Sequence, residues 1–178
     1  MQASARLGTR LYISVASDEA KGSSKALQSA DLAESLLRET NLRKLRQLPS
    51  TLPLYIGMRM VLLEKACARL LLMNGCLCIL EEILFDENEE LPTAVHAGEP
   101  IVLKYVPTHL LLRAVDTKWT LPDDQLPELP CDMNKQGLFL LPRATRYWSY
   151  LATRVDTVNV RRTHFDVIPA DTRIGYSA

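Results

Sequence analysis

The sequence is short of the features that mark the commoner functional classes. None of its apolar runs approaches the roughly 20 residues that a membrane-spanning helix requires, so no membrane span is expected. Its four cysteines, at 67, 76, 78 and 131, form no disulfide ladder, and Cys76-Leu-Cys78 is too tightly spaced for a zinc knuckle. His96, His109 and His164 offer no i, i+4 pair for a metal, which leaves reduced thiols in an intracellular protein as the expectation. Lys+Arg and Asp+Glu both number 21, so bulk charge alone drives no binding to a polyanion.

Catalytic signatures are missing as well. The chain contains no GxxxxGK[ST] phosphate loop, GxGxxG, HExxH or GxSxG. In Ala20-Lys21-Gly22-Ser23-Ser24 the lysine precedes the glycine instead of following it, so no backbone cradle with a reaching lysine forms. Glu81, Glu82, Asp86 and Glu87 sit in an acidic run ahead of a loop and read as a solvated edge. A free-standing enzyme is not expected.

What is present is a chain of 178 residues, 47% of them hydrophobic and 24% charged, enough for a sizeable core. Charge is segregated: residues 81–134 carry twelve acids against Lys104, Arg113 and Lys118, whereas residues 135–178 carry seven basic side chains against three acids. Such a distribution can present one basic surface. At the start, "MQASARLGTRLYISVAS" has the Arg- and Ser-rich, acid-free character of a mitochondrial presequence, but "RLYISVAS" alternates as a strand does.

From Ser23 to about Leu48 the pattern is helical, with Leu27, Ala30, Leu32, Ala33, Leu36 and Leu37 near i, i+3, i+4 spacing. Ser23 or Ser24 would cap it, acids lie early and Arg38, Arg43, Lys44 and Arg46 late, and Asn41 interrupts it or separates two short helices. Pro49 and Pro53 end this region, and "LYIGMRMVLLE" reads as a strand with a bend at Gly57. Asn74-Gly75 predicts a hairpin or strand-entry turn, and Pro107 confines one later strand to an edge. A proline-rich excursion occupies 116–137, after which β character resumes; six or more short strands imply a small barrel. In "RYWSY", Tyr147, Trp148 and Tyr150 are rings on which bases can stack, although alternation directs Tyr147 into the barrel core.

Two stretches resemble the petite-integration-frequency DNA helicases and their RecD-type, superfamily 1 and rolling-circle-transposon relatives. "LPSTLPLYIGMRMVLLEKACARLLLMNGCLCILEEI" is similar to their Leu-Pro segment through Leu52, Leu54, Gly57, Met58, Leu62, Met73, Asn74 and Gly75. "VRRTHFDVIPADTRIGYSA" resembles a motif of their second RecA-like domain through Arg162, Phe165, Pro169 and Ala170. His164, Asp166, Ile174, Tyr176 and Ser177 replace the motif's Gln, Pro, Thr, His and Lys, as in a degenerate, transposon-derived copy. "RLYISVASDE" adds a weaker likeness to a Tyr-x-Ser-x-Asp stretch.

The resemblance implies an α+β, mostly β chain: a helical N-terminal segment, then a small Src-homology-like barrel inserted in a partial RecA-like domain. Residues 1–53 would be the edge of the second RecA-like domain, 54–157 the inserted barrel, and 158–178 the return strand with a truncated helicase motif. The chain would then be an internal piece of a DNA-unwinding motor active in replication, repair, recombination or transposition. ATP and magnesium would be handled by the missing helicase domains, its expected partners, with none held in this chain. Contacts to single-stranded DNA, weak in isolation, would come from Arg161, Arg162, His164, Arg173, Tyr176 and Ser177, with Arg154 nearby. Gly57, Asn74, Gly75, Phe165, Pro169 and Ala170 would be structural. The nucleus, or else the mitochondrion, is the expected location. The competing expectation is a non-catalytic β-barrel module that binds protein or single-stranded nucleic acid.

Overall fold

The computed structural model describes residues 10–21, 30–38, 48–66, 72–87, 98–115, 137–151 and 157–172. The caps at Ser23 and Ser24, most of the proline-rich excursion, Arg154, Arg173, Tyr176 and Ser177, and the side chains of Trp148 and Tyr150 lie outside the description.

The core is a five-stranded antiparallel sheet built from β4 (Arg59–Leu62), β5 (Leu77–Leu84), β7 (His109–Ala114), β8 (Leu138–Pro142) and β11 (Val167–Pro169). Its order is β11-β4-β5-β7-β8. Strands β4, β7 and β8 alternate, and in β7 Leu110, Leu112 and Ala114 are buried while the residues between them are half-exposed. The register lines up Leu80, Leu112 and Phe139 across three strands, so one apolar face forms a continuous row. Met60, Leu62, Cys78, Leu141, Phe165 and Val167 join the same cluster. Burial raises the Cys78 thiol well above its ordinary pKa, which makes it an inert core group.

A bulge between Leu80 and Glu82 corrects a conflict in the β5 sequence. Strict alternation after Cys78 and Leu80 would turn Glu82 inward. The extra residue shifts the inward phase to Ile83, which packs on the core, and leaves Glu82 exposed. Glu81 instead bonds Arg113 on β7, with Nε 2.6 Å from Oε1.

Two tight turns deliver the chain into this sheet. Gly57 has φ of 86°, the Met58 N–H donates to the Tyr55 carbonyl, and the Gly57 N–H reaches Leu80 O at 2.7 Å. Gly75, at φ 89°, closes the second turn, with Cys76 N–H on Met73 O. The stretch "LYIGMRMVLLE" is therefore the end of β3 (Thr51–Leu54), a turn at Gly57 and then β4. Pro53 fits in β3 because that strand is an edge. The strand expected to hold Pro107 is instead broken there, between β6 (Ile101–Val102) and β7.

A second sheet, β3-β1-β6, places β1 (Tyr12–Val15) antiparallel to β3 and parallel to β6. The third, β2-β10-β9, joins β2 (Ser17–Lys21), β10 (Thr157–His164) and β9 (Ala144–Leu151). The chain steps from β1 to β2 at Ala16, whose N–H donates to Ser50 O at 2.8 Å. The positions 53/54 and 157/158, expected as segment boundaries, fall inside β3 and β10.

Two expectations are corrected. The sheets do not close into a barrel: among the described residues β11 and β8 stand as free edges of the central sheet. The helical N-terminal segment is not supported: among the described residues helix is confined to α1 (Ala30–Arg38) and the strands β1 and β2 precede it, and the rest of 23–47 lies outside the description. Among the α1 side chains described, Leu36 is buried while the adjacent Leu37 is exposed, so the helix turns one side to the surrounding structure.

Candidate nucleic-acid face

Strand β10 sorts its side chains by parity. Val160, Arg162 and His164 are buried, whereas Asn159 is exposed and Arg161 and Thr163 are partly so. The tandem Arg161-Arg162 is thereby split across the two faces of one sheet.

Arg162 is fully buried, contrary to its expected place on DNA. Its Nε and Nη2 grip the Asp18 carboxylate at 2.7 and 2.6 Å. Nη1 donates to Ser50 Oγ at 2.9 Å and to Leu48 O at 3.3 Å, and Nη2 also reaches Leu36 O at 3.3 Å. These acceptors match all five N–H groups of a guanidinium. Ser50 Oγ in turn donates to Leu36 O at 2.7 Å, so the end of α1, the 48–50 segment, β2 and β10 share one buried polar joint.

His164 is buried beside it, again not on a DNA-facing surface. Nδ1 lies 2.8 Å from Pro49 O and Nε2 lies 2.9 Å from Ser14 Oγ. A carbonyl only accepts, so Nδ1 carries the proton and the Ser14 hydroxyl donates to Nε2. Burial, opposed by the Pro49 carbonyl and helped by the Arg162 charge, lowers its pKa to about 4. Phe165 is core, Pro169 pairs with Met60 in β11, and the Ala170 N–H donates to Arg59 O at 3.0 Å.

The outward face is different in kind. Arg161 pairs with Glu19 and with the Tyr147 hydroxyl, and its guanidinium carbon lies 6.0 Å from the Tyr147 ring centroid. Those two partners, Tyr147 first, push its pKa up further. Tyr147 is 55% exposed, so the ring expected in the core is presented to solvent. Beside it Thr145 and Thr163 share a hydroxyl hydrogen bond of 2.8 Å.

Glu19, Thr145, Arg161 and Thr163 line a groove of about 560 Å³ whose other wall brings Lys104, Tyr105 and Arg143, while Tyr147 stands beside Arg161 outside that lining. Arg143 Nη1 donates to Val106 O at 2.9 Å, and Lys104 Nζ sits 5.2 Å over the Tyr105 ring. Neither Lys104 nor Arg143 pairs with a carboxylate among the described residues. Sequence reasoning missed this wall. Lys104 sits in the acid-rich middle of the chain, and only the fold carries it to the basic C-terminal strands.

Arg146, on the opposite face of β9, is held by Glu64 and by Asp166 Oδ2 at 2.7 Å. Burial raises the Asp166 carboxyl to about 6 against the opposing Arg146 charge, and its Oδ1 is buried without a hydrogen-bond partner.

Fold and site together define a β-rich domain with a cationic, tyrosine-flanked groove. No family model matches the chain, and no curated protein matches it. Among solved structures it is similar to the crystal structure of Pif1 helicase from Candida albicans, at 13% identity and a TM-score of 0.41. The match covers 90% of this chain and 29% of that one.

Proposed function

We propose that the chain is a section of an ATP-dependent DNA helicase of the petite-integration-frequency type. It would comprise the edge of a second RecA-like domain, an inserted β unit and a return strand, and it would be inactive in ATP hydrolysis by itself. The observation that carries this reading is a strand pairing. The two sequence stretches similar to those helicases meet as β4 and β11, with Val167 opposite Leu62 and Pro169 opposite Met60. Residues of both stretches are thus used in one sheet, and Gly57 and Gly75 occupy turns with positive φ.

The chemistry of the chain agrees with a non-hydrolysing section. No lysine-bearing phosphate loop is present to neutralise charge on a transferred phosphoryl group. ATP, magnesium and the arginine completing the nucleotide site belong to other domains of such a motor, which would be this chain's partners. Single-stranded DNA is the proposed ligand, met by Arg161 and by Arg173, Tyr176 and Ser177 further along.

The test is a coupled ATPase assay on the purified chain with and without single-stranded DNA. Turnover at background is expected, and sustained DNA-stimulated hydrolysis would overturn the reading. In the gene, the same reading frame is expected to encode a phosphate loop upstream and a Gln-Gly pair directly downstream. A second reading, a non-catalytic module that binds single-stranded nucleic acid, is favoured by the groove itself, whose exposed tyrosines and cations need no nucleotide site to act.

A further inference from the structure

We propose that the groove between the β2-β10-β9 face and the 104–106 loop holds a short run of single-stranded nucleic acid. Lys104, Arg143 and Arg161 would meet the phosphates, and Tyr147, exposed beside Arg161 at the margin of the groove, would stack on a base. The inference rests on the functional reading only for the strandedness of the ligand. It adds a second wall, from the inserted region, to a surface that sequence placed on β10 alone.

Three observations carry it. The lining is more polar than apolar, Val15, Ala16 and Val106 notwithstanding, and it sets the Thr145 and Thr163 hydroxyls side by side, which suits a hydrated phosphodiester. Two of its cations lack carboxylate partners among the described residues, and Arg143 is braced by Val106 O, so its charge is held in place before any ligand arrives. The third cation is partly neutralised by Glu19 but remains against the Tyr147 ring. An exposed aromatic beside a fixed guanidinium can stack on any base without reading its identity. Sequence-independent binding, steep in salt, is the consequence.

Glu19 gives the proposal a signature that a generic basic patch lacks. It occupies Arg161 in the free protein, so a phosphate must compete with it. Removing its charge while keeping its shape should tighten binding.

The experiment is fluorescence anisotropy of a labelled thymidine oligonucleotide with the full chain, across a salt series. Lys104→Gln with Arg143→Gln should weaken binding roughly tenfold and reduce the salt slope by about 1.4, two single-strand phosphate contacts. Tyr147→Ala should weaken it at least about fivefold, and Tyr147→Phe should restore it. Glu19→Gln should tighten it about fivefold. Arg38→Gln, on the exposed side of α1, removes one positive charge outside the groove lining and should change nothing. Arg143→Lys, which keeps the charge, guards against a loosened 104–106 loop, and circular dichroism checks each variant's fold.

No binding by the wild-type chain, or binding indifferent to the Lys104 and Arg143 variants, overturns the groove and leaves the helicase reading to its ATPase and gene-frame tests. If inorganic polyphosphate displaces the oligonucleotide equally per phosphate and Tyr147→Ala has no effect, the site is a general anion site and the assignment falls.

Discussion

Asp18 and Arg162, 144 positions apart, form a two-toothed ion pair in which the guanidinium is wholly buried and the carboxylate nearly so. Taking either charge from water is costly, and the pair persists because every N–H of the arginine has an acceptor. Asp18→Asn would leave a buried cation half-matched, with an expected loss of about 3–5 kcal/mol in urea denaturation. Arg162→Met, which removes the charge and much of the polar demand, should cost less than Asp18→Asn despite deleting more bonds. Equal losses in the two variants would mean that the arginine is solvated in solution.

A pH dependence follows from His164. Its folded-state pKa of about 4 lies below the ordinary 6.5 of a histidine, so the unfolded chain takes up the proton first as pH falls. Its stabilising share is fully present above about pH 6.5 and is lost as the pH drops toward 4, on the order of 3 kcal/mol in all. Asp166 acts in the opposite sense. With its carboxyl raised from 3.8 to about 6, the folded state binds the proton first, and stability is gained as pH falls through that window. Asp166→Asn should therefore steepen the acid loss, and urea midpoints at pH 7.5, 5.5 and 4.5 measure it. A flat midpoint in Asp166→Asn would show that His164 is not buried as the neutral imidazole.

How much of this was legible in the sequence depends on the range of the interaction. The Asn74-Gly75 turn and the apolar strands are local and could be read directly, whereas Pro53, expected to break the chain, sits inside β3 because that strand is an edge. Which of Arg161 and Arg162 turns inward could not, because parity is fixed only when β10 pairs with Asp18 and Glu19 on β2. The same holds for Tyr147, placed opposite Arg161 by the β9 register and so on the outer face. Barrel closure failed as an expectation because strand count says nothing about strand order. The bulge at Glu81-Glu82 is visible only as a clash between alternation and charge. The groove draws on residues 104, 143 and 161, so no window of sequence contains it.

The Gly75 turn offers a clean measure of backbone strain. With φ at +89° and nothing within 4 Å of a Cβ built there, an added methyl meets empty space. Gly75→Ala should therefore cost about 1–2 kcal/mol from the left-handed backbone alone. Gly75→Asn should recover part of that loss, because asparagine tolerates φ > 0. Identical stability of the alanine variant and the wild type in thermal denaturation would show that the turn relaxes to another form.

Cys78 and Cys76 should separate in reactivity despite being neighbours but one. Cys78 is fully buried on the inner face of β5, and its raised pKa keeps the thiolate scarce. Cys76 lies just before the strand and is half-buried. Under native conditions a maleimide should label Cys76 at least about tenfold faster than Cys78, with mass spectrometry of the peptides as the readout. The difference should vanish in denaturant, where both thiols are exposed to the reagent. Because Cys78 lies opposite both Met60 and Ala114, its protection reports the integrity of three adjoining strands. Fast labelling of Cys78 in the native chain would mean that β5 opens on the timescale of the reaction. The central sheet would then be too loosely held to fix the register of β4 against β11.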